Sequence, residues 1–155
     1  MKAMRSDFVR GAVLAASLGF FAAAAQADES PKYEVVDGGI PASLTGVAGD
    51  AGKGKDTMIN RKLGNCLACH AVSALADQPF HGEVGPSLDD VASRYNEAQL
   101  RLILVDSKQV FEGTIMPAFY KSEGFMRPRK EFVGKTILTA QEVEDVIAYL
   151  ETLKD

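Results

Sequence analysis

Five consecutive residues, Cys66-Leu67-Ala68-Cys69-His70, concentrate the chemistry available to this 155-residue chain. Two thiols separated by two residues and followed at once by an imidazole form C-x-x-C-H, the attachment signature of haem c. The spacing has a physical reason. Each thiol adds across one of two vinyl groups on the same porphyrin edge, and two intervening residues let the backbone span those points. The histidine beside the second thioether is then forced under the iron as proximal ligand, and its other ring N–H needs an acceptor that fixes the tautomer. Three other chemistries use the same residue types. A thioredoxin-like thiol pair needs a βαβ setting, and no strand-like apolar run precedes Cys66. Zinc needs four ligands; Cys66, Cys69, His70 and His81 are the only Cys and His in the chain, and adjacent Cys69 and His70 are poorly placed for one tetrahedral ion. A Cys66–Cys69 disulfide would close a very small, strained loop.

A haem held by one histidine has a sixth position, and its occupant separates electron carriers from ligand-binding or catalytic haem proteins. Beyond Met1 and Met4 the candidates are Met116, Met126, Met58 and His81. Met116 is favoured. It lies in Gly113-Thr114-Ile115-Met116-Pro117-Ala118-Phe119, where Pro117 stiffens the chain and biases Met116 towards an extended backbone that can cross the haem face as a loop. Met126, in Gly124-Phe125-Met126-Arg127-Pro128, is the second candidate. Met58 falls in a predicted helix and reads as core, and His81 reads as a solvated loop residue. A vacant position is the remaining alternative.

Cys66 to His70, then Gly85-Pro86-Ser87-Leu88, then Met116-Pro117-Ala118-Phe119 resemble the three ordered signatures of class I cytochromes c, over most of the chain from about residue 49. The resemblance implies an all-α class I cytochrome c fold around one covalent haem c, with His70 and Met116 as axial ligands. It implies that the Pro86 carbonyl accepts the His70 N–H. More narrowly, Gly64-Asn65 before the first cysteine, Gly82-Glu83-Val84 before Gly85, Tyr120 after Phe119 and a long arm before the first helix resemble the SoxX family of monohaem cytochromes. One departure from small cytochromes c is the lengthened stretch between Gly54 and Cys66, which lacks their aromatic four residues before the first cysteine. The SoxX resemblance implies a heterodimer with a SoxA-like haem subunit, acting in thiosulfate oxidation as part of an L-cysteine S-thiosulfotransferase. The catalytic site would lie on the partner, and this chain would contribute no catalytic residue. Small redox proteins are the implied electron acceptors. A free soluble cytochrome c shuttling electrons to an oxidase or reductase is the alternative.

Helices must position these groups. Thr139-Ala140-Gln141-Glu142 reads as a capping box, after which Val143, Val146, Ile147, Leu150 and Leu153 share one face. Glu142, Glu144, Asp145 and Glu151 are expected to face water. Leu88, Val91, Ala92 and Tyr95 predict a helix over 88–95, and Asn96 caps another that runs through Val105. Asp50 caps the first helix, where Gly52 and Gly54 permit a close helix crossing. No strand pattern is evident. Residues 28–48, with Pro31, Gly38, Gly39, Pro41 and Gly46, read as an irregular arm before a cytochrome c domain over 49–155. By default that arm is a flexible terminus; the SoxX resemblance makes it a partner contact.

Lys2, Arg5 and Arg10, the apolar run from Gly11 to Ala25 and Ala25-Gln26-Ala27 together read as a signal peptide cleaved after Ala27, so the mature protein is expected to be periplasmic. The run is short for a membrane span, which needs about 20 apolar residues. Cleavage removes those three bases and Asp7, moving the formal charge from −4 to −6. An acidic chain is a poor nucleic-acid partner. At 46% hydrophobic residues it has ordinary material for one core, to which a large apolar cofactor would add; Leu67, Leu88, Leu100, Ile103, Leu104, Ile115 and Phe119 are candidates to line it. Residues 121–135 are locally basic, with Lys121, Arg127, Arg129, Lys130 and Lys135 against Glu123 and Glu131. Either they form a docking rim or a solvated loop.

Overall fold

Asp50, Asn96 and Thr139 each turn an extended backbone into a helix by accepting a hydrogen bond from the N–H three residues on. The helices they start are α1 (Ala51–Ile59), α3 (Glu97–Asp106) and α4 (Ala140–Leu150), with a single turn, α2 (Val91–Arg94), before α3. Gln99 and Glu142 reach back to close capping boxes on α3 and α4. The computed structural model describes residues 32–154; the expected signal peptide and the first residues of the arm lie outside the described residues. Short 3₁₀ turns fill the connections, including Cys66–Ala68 and Ser107–Gln109. Among the described residues no strand forms, and the only β-bridge is Val36 with Gly39.

α4 buries Val143, Val146, Ile147 and Leu150, with Leu153 beyond its end, against α1 and α3. α3 is central: every residue from Leu100 to Asp106 is buried. The α1–α4 crossing depends on glycine. A Cβ on Gly54 would lie 1.9 Å from the Asp145 carbonyl oxygen, and one on Gly49 2.1 Å from that of Glu144. Gly52, expected to share this role, faces no other helix; a Cβ there would meet only the Asp50 carboxylate of its own cap.

Two sequence expectations are corrected. Helix α2 starts at Val91, not Leu88, because the Asp89 carboxylate is engaged elsewhere and Asp90 is non-helical at φ −115°, ψ 19°. Glu144 and Asp145 do not face water: each is only 4% exposed. The reason is backbone hydrogen bonding. Leu44 N–H donates to Glu144 Oε1 (2.8 Å) and Asp50 N–H to Asp145 Oδ1 (2.8 Å), so these carboxylates satisfy donors of the segment laid across α4.

That segment is the arm. Asp37 and Gly38, at φ 48° and 75°, make a tight turn closed by Val36 N–H to Gly39 C=O at 2.9 Å. Ile40 is then buried, its N–H bonded to the Ala98 carbonyl (2.9 Å). Arg101, buried in α3, donates to the Ile40 carbonyl (2.8 Å) and makes a paired contact with Glu144 through Nε and Nη2, both at 2.9 Å; Glu97 completes its shell. Burial opposes the Arg101 charge, but hydrogen bonds to Glu144 and Glu97 more than offset this and hold it above its ordinary pKa. Residues 32–48 therefore have one face fixed on their own domain.

Candidate haem site

Asn65, at φ 49°, turns the chain from α1 into the 3₁₀ turn Cys66–Ala68, where Cys69 and His70 N–H groups both donate to the Cys66 carbonyl (3.1 and 3.0 Å). This places Cys66, Cys69 and His70 on the wall of a cavity of about 1320 Å³. Neither cysteine is in a disulfide. Although Cys66 as a residue is half-buried, its sulfur is enclosed, and desolvation pushes the thiol up to about 12. It is therefore not the low-pKa thiolate a thioredoxin-like reaction needs.

The segment 82–88 runs beside the attachment turn. Gly82 N–H bonds Leu67 C=O (2.8 Å), Gly85 N–H bonds Cys69 C=O (2.7 Å) and Leu88 N–H bonds Ala71 C=O (3.0 Å). His70 Nδ1–H donates to the Pro86 carbonyl at 2.7 Å, which fixes the tautomer and leaves Nε2 as the ring's free ligating nitrogen. Glycine is required for this approach, because a Cβ on Gly85 would lie 2.3 Å from His70 Cε1 and one on Gly82 2.1 Å from Ala68 C=O.

Asp89 anchors the far end of the segment. Its carboxylate accepts from Ser73 N–H (2.6 Å), Ser73 Oγ (2.8 Å) and Ser87 Oγ (2.9 Å). The Ser73 backbone bond, then the hydroxyls, hold its pKa below the ordinary 3.8. A depressed carboxylate contributes stability above its unfolded pKa and loses it as pH falls through the folded value. Asp89→Asn should therefore be less stable than wild type at about pH 6, and in urea unfolding the gap should shrink at a pH well below the ordinary carboxylate value of 3.8. A gap of equal size at both pH values would contradict this clamp.

Met116 lines the same cavity, half-buried, on a segment fixed to the end of α3: Phe119 N–H bonds Leu104 C=O (3.0 Å) and Tyr120 N–H bonds Val105 C=O (3.3 Å). The rival candidates stand differently. Met126 also lines the cavity but is 97% exposed, and Met58, which lines it too, is fully buried as part of the core. His81 has both ring nitrogens engaged, Nδ1 accepting from Val72 N–H (3.3 Å) and Nε2–H donating to Leu75 C=O (2.9 Å), and it does not line the cavity. Leu88, Leu100, Ile103, Leu104, Ile115 and Phe119 line the cavity as expected; Leu67 does not, being buried on the opposite side of the attachment turn.

These residues fit a haem. Two thiols and an oriented imidazole stand at one wall of a largely apolar cavity larger than the ~300–1,000 Å³ of ordinary ligand pockets, with Gly85 packed so closely on the His70 ring that no side chain could stand there. Among the described residues, no three His, Cys, Asp or Glu groups converge to hold a metal ion by themselves.

A heme-binding attachment turn, an oriented histidine and a helical shell of this kind define a class, and the chain belongs to it: the family model for cytochrome c matches residues 51–154, making this an electron-transfer haem c protein. Within the class I cytochromes c it is SoxX-like. It is similar to a chain of the crystal structure of SoxXA from P. pantotrophus, with 48% identity and a TM-score of 0.74 over 79% of this chain and 95% of that one. Comparison with curated proteins gives no match.

Sequence reading missed the basic character of the cavity's surround outside 121–135. Arg61, Lys62, Arg94 and Lys108 join Lys121, Arg127, Arg129 and Lys135 in its lining, against one acid, Glu131. These residues are scattered along the chain and have no local pattern. Within 121–135, Lys121 pairs with buried Asp106 (2.9 Å) and Arg129 with Glu131 (2.5 Å). Among the described residues no helix is long and apolar enough to cross a membrane.

Proposed function

We propose that this chain is an exported, periplasmic one-electron carrier with a single haem c on Cys66 and Cys69 and with His70 and Met116 as axial ligands. The observation that carries the reading is the convergence of both thiols, the Pro86-oriented imidazole and Met116 on one apolar cavity. When bound, haem supplies a reversible one-electron iron couple, and a methionine sulfur on the sixth position raises its potential. The chain's own groups do the rest. Cys66 and Cys69 tether, Pro86 sets the His70 tautomer, and Leu100, Ile103, Leu104 and Phe119 exclude water from the site. If His70 and Met116 both held the iron, no position would remain for a substrate, and the chemistry supplied would be one-electron transfer. The direct test is carbon monoxide. The reduced wild type should not bind it readily, whereas ready binding would move a ligand-binding or catalytic role to the front.

The likeness to SoxXA supports a dedicated partner: a SoxA-like haem subunit, with this chain relaying electrons released in thiosulfate oxidation while the sulfur chemistry stays on that subunit. The basic residues around the cavity support docking of acidic redox partners on an otherwise acidic protein. The exported protein should therefore co-purify with a second haem subunit, and its electron-transfer rate with an acidic acceptor should fall steeply as salt rises. Isolation as a lone monomer would favour the free shuttle, and a salt-independent rate would remove the docking role.

A further inference from the structure

Both backbone polar groups of Met116 are bound by side chains. Its carbonyl accepts from Ser107 Oγ (2.8 Å) and Lys108 Nζ, and its N–H donates to Thr114 Oγ1 (3.2 Å). Ser107 is fully buried at the end of α3, where its hydroxyl also lies 3.4 Å from the Pro117 carbonyl. Asp106 shapes the turn that presents the two donors, accepting from Lys108 N–H (3.3 Å) while pairing with Lys121 Nζ (2.9 Å) at the other end of the loop. The last turn of α3 and the 3₁₀ turn Ser107–Gln109 that follows it thus hold the loop at its base and at Met116 itself, and α3 lines the cavity with Leu100, Ile103 and Leu104.

We propose that Ser107 and Lys108 are positioning residues for the sixth ligand: they clamp the Met116 carbonyl so that its thioether stays in place and resists displacement. The proposal rests on the reading of Met116 as that ligand. A thioether is a neutral, weak donor, so its hold depends on being delivered already ordered; each time a free loop rebinds, it must lose conformational entropy that a clamped loop has lost on folding. Lys108 adds a second effect. Its ammonium beside the ligand segment disfavours the extra positive charge of the ferric state and so raises the reduction potential.

The test is imidazole titration of the ferric, haem-loaded protein together with its midpoint potential, in wild type, Ser107→Ala, Lys108→Leu, Lys108→Arg and Met116→Ala. Ser107→Ala and Lys108→Leu should each lower the apparent Kd for imidazole by about 3–10-fold, the range one lost hydrogen bond corresponds to. Lys108→Leu should also lower the midpoint potential, and Lys108→Arg should restore both values. Ser107→Ala removes a buried hydroxyl and can weaken the fold generally, but Lys108 is exposed, so a ligand-displacement effect in Lys108→Leu has no such origin. Unchanged imidazole affinity and potential in both variants, with the methionine-to-iron absorption band lost only in Met116→Ala, would overturn the clamp and leave Met116 as ligand. Survival of that band in Met116→Ala would instead overturn the ligand assignment and the clamp with it.

Discussion

Glu144→Ala should destabilise the haem-loaded protein by about 3–5 kcal/mol, the cost of removing one partner from a buried ion pair. Glu144 accepts from Arg101 Nε, Arg101 Nη2 and Leu44 N–H, all within 2.9 Å. Without it, the buried Arg101 guanidinium keeps only Glu97 and the Ile40 carbonyl, and the Leu44 N–H loses its acceptor. Three segments, the arm, α3 and α4, meet at this one carboxylate. Against a total stability of ~5–15 kcal/mol the loss is large, and it corresponds to a fall in Tm of about 10–20 °C. Glu151→Ala, on the exposed end of the same helix, should cost less than about 0.5 kcal/mol. Equal, small effects in thermal unfolding of both variants would show that the buried pair does not hold the arm.

The second large effect concerns the cavity. Cys66→Ala/Cys69→Ala removes covalent attachment, and the haem-free chain should show no cooperative unfolding transition and weak near-ultraviolet circular dichroism. Without haem the cleft of about 1320 Å³ opens its apolar walls to water, and apolar surface left wet forfeits ~25 cal/mol per Å². Hydration or collapse of those walls loosens Leu100, Leu104, Val146 and Leu150, which line the cavity and belong to the buried interior. A haem-free double variant that melts cooperatively near the wild-type temperature would contradict this role for the cofactor.

What the sequence made legible was local. Cys66 to His70 carries its meaning in its spacing, the three caps announce helix starts, and the α4 apolar face follows from periodicity. What it hid depends on residues distant along the chain. Glu144 and Asp145 lie outside the apolar stripe of α4, and only the arm and the start of α1, laid across them, turn them into buried acceptors. Gly49 matters because α4 crosses there, and Arg101, a charged residue inside a central helix, becomes intelligible only when Glu144, 43 positions along the chain, and the Ile40 carbonyl, 61 positions back, are brought beside it. The shortened α2 follows from Asp89 bonding Ser73 and Ser87, a choice that helical periodicity does not register. Within the site, Met116 is marked by Pro117 and by the Met116-Pro117-Ala118-Phe119 signature, but the roles of Ser107, Lys108 and Thr114 around it have no sequence signal.

A haem c closed by His70 and Met116 is tested most directly by the absorption spectrum of the exported, haem-loaded ferric protein, wild type beside Met116→Ala. Wild type should show the weak far-red band of methionine sulfur on ferric iron, and the variant should lose it. A band absent from wild type, or one that survives the substitution, would contradict it.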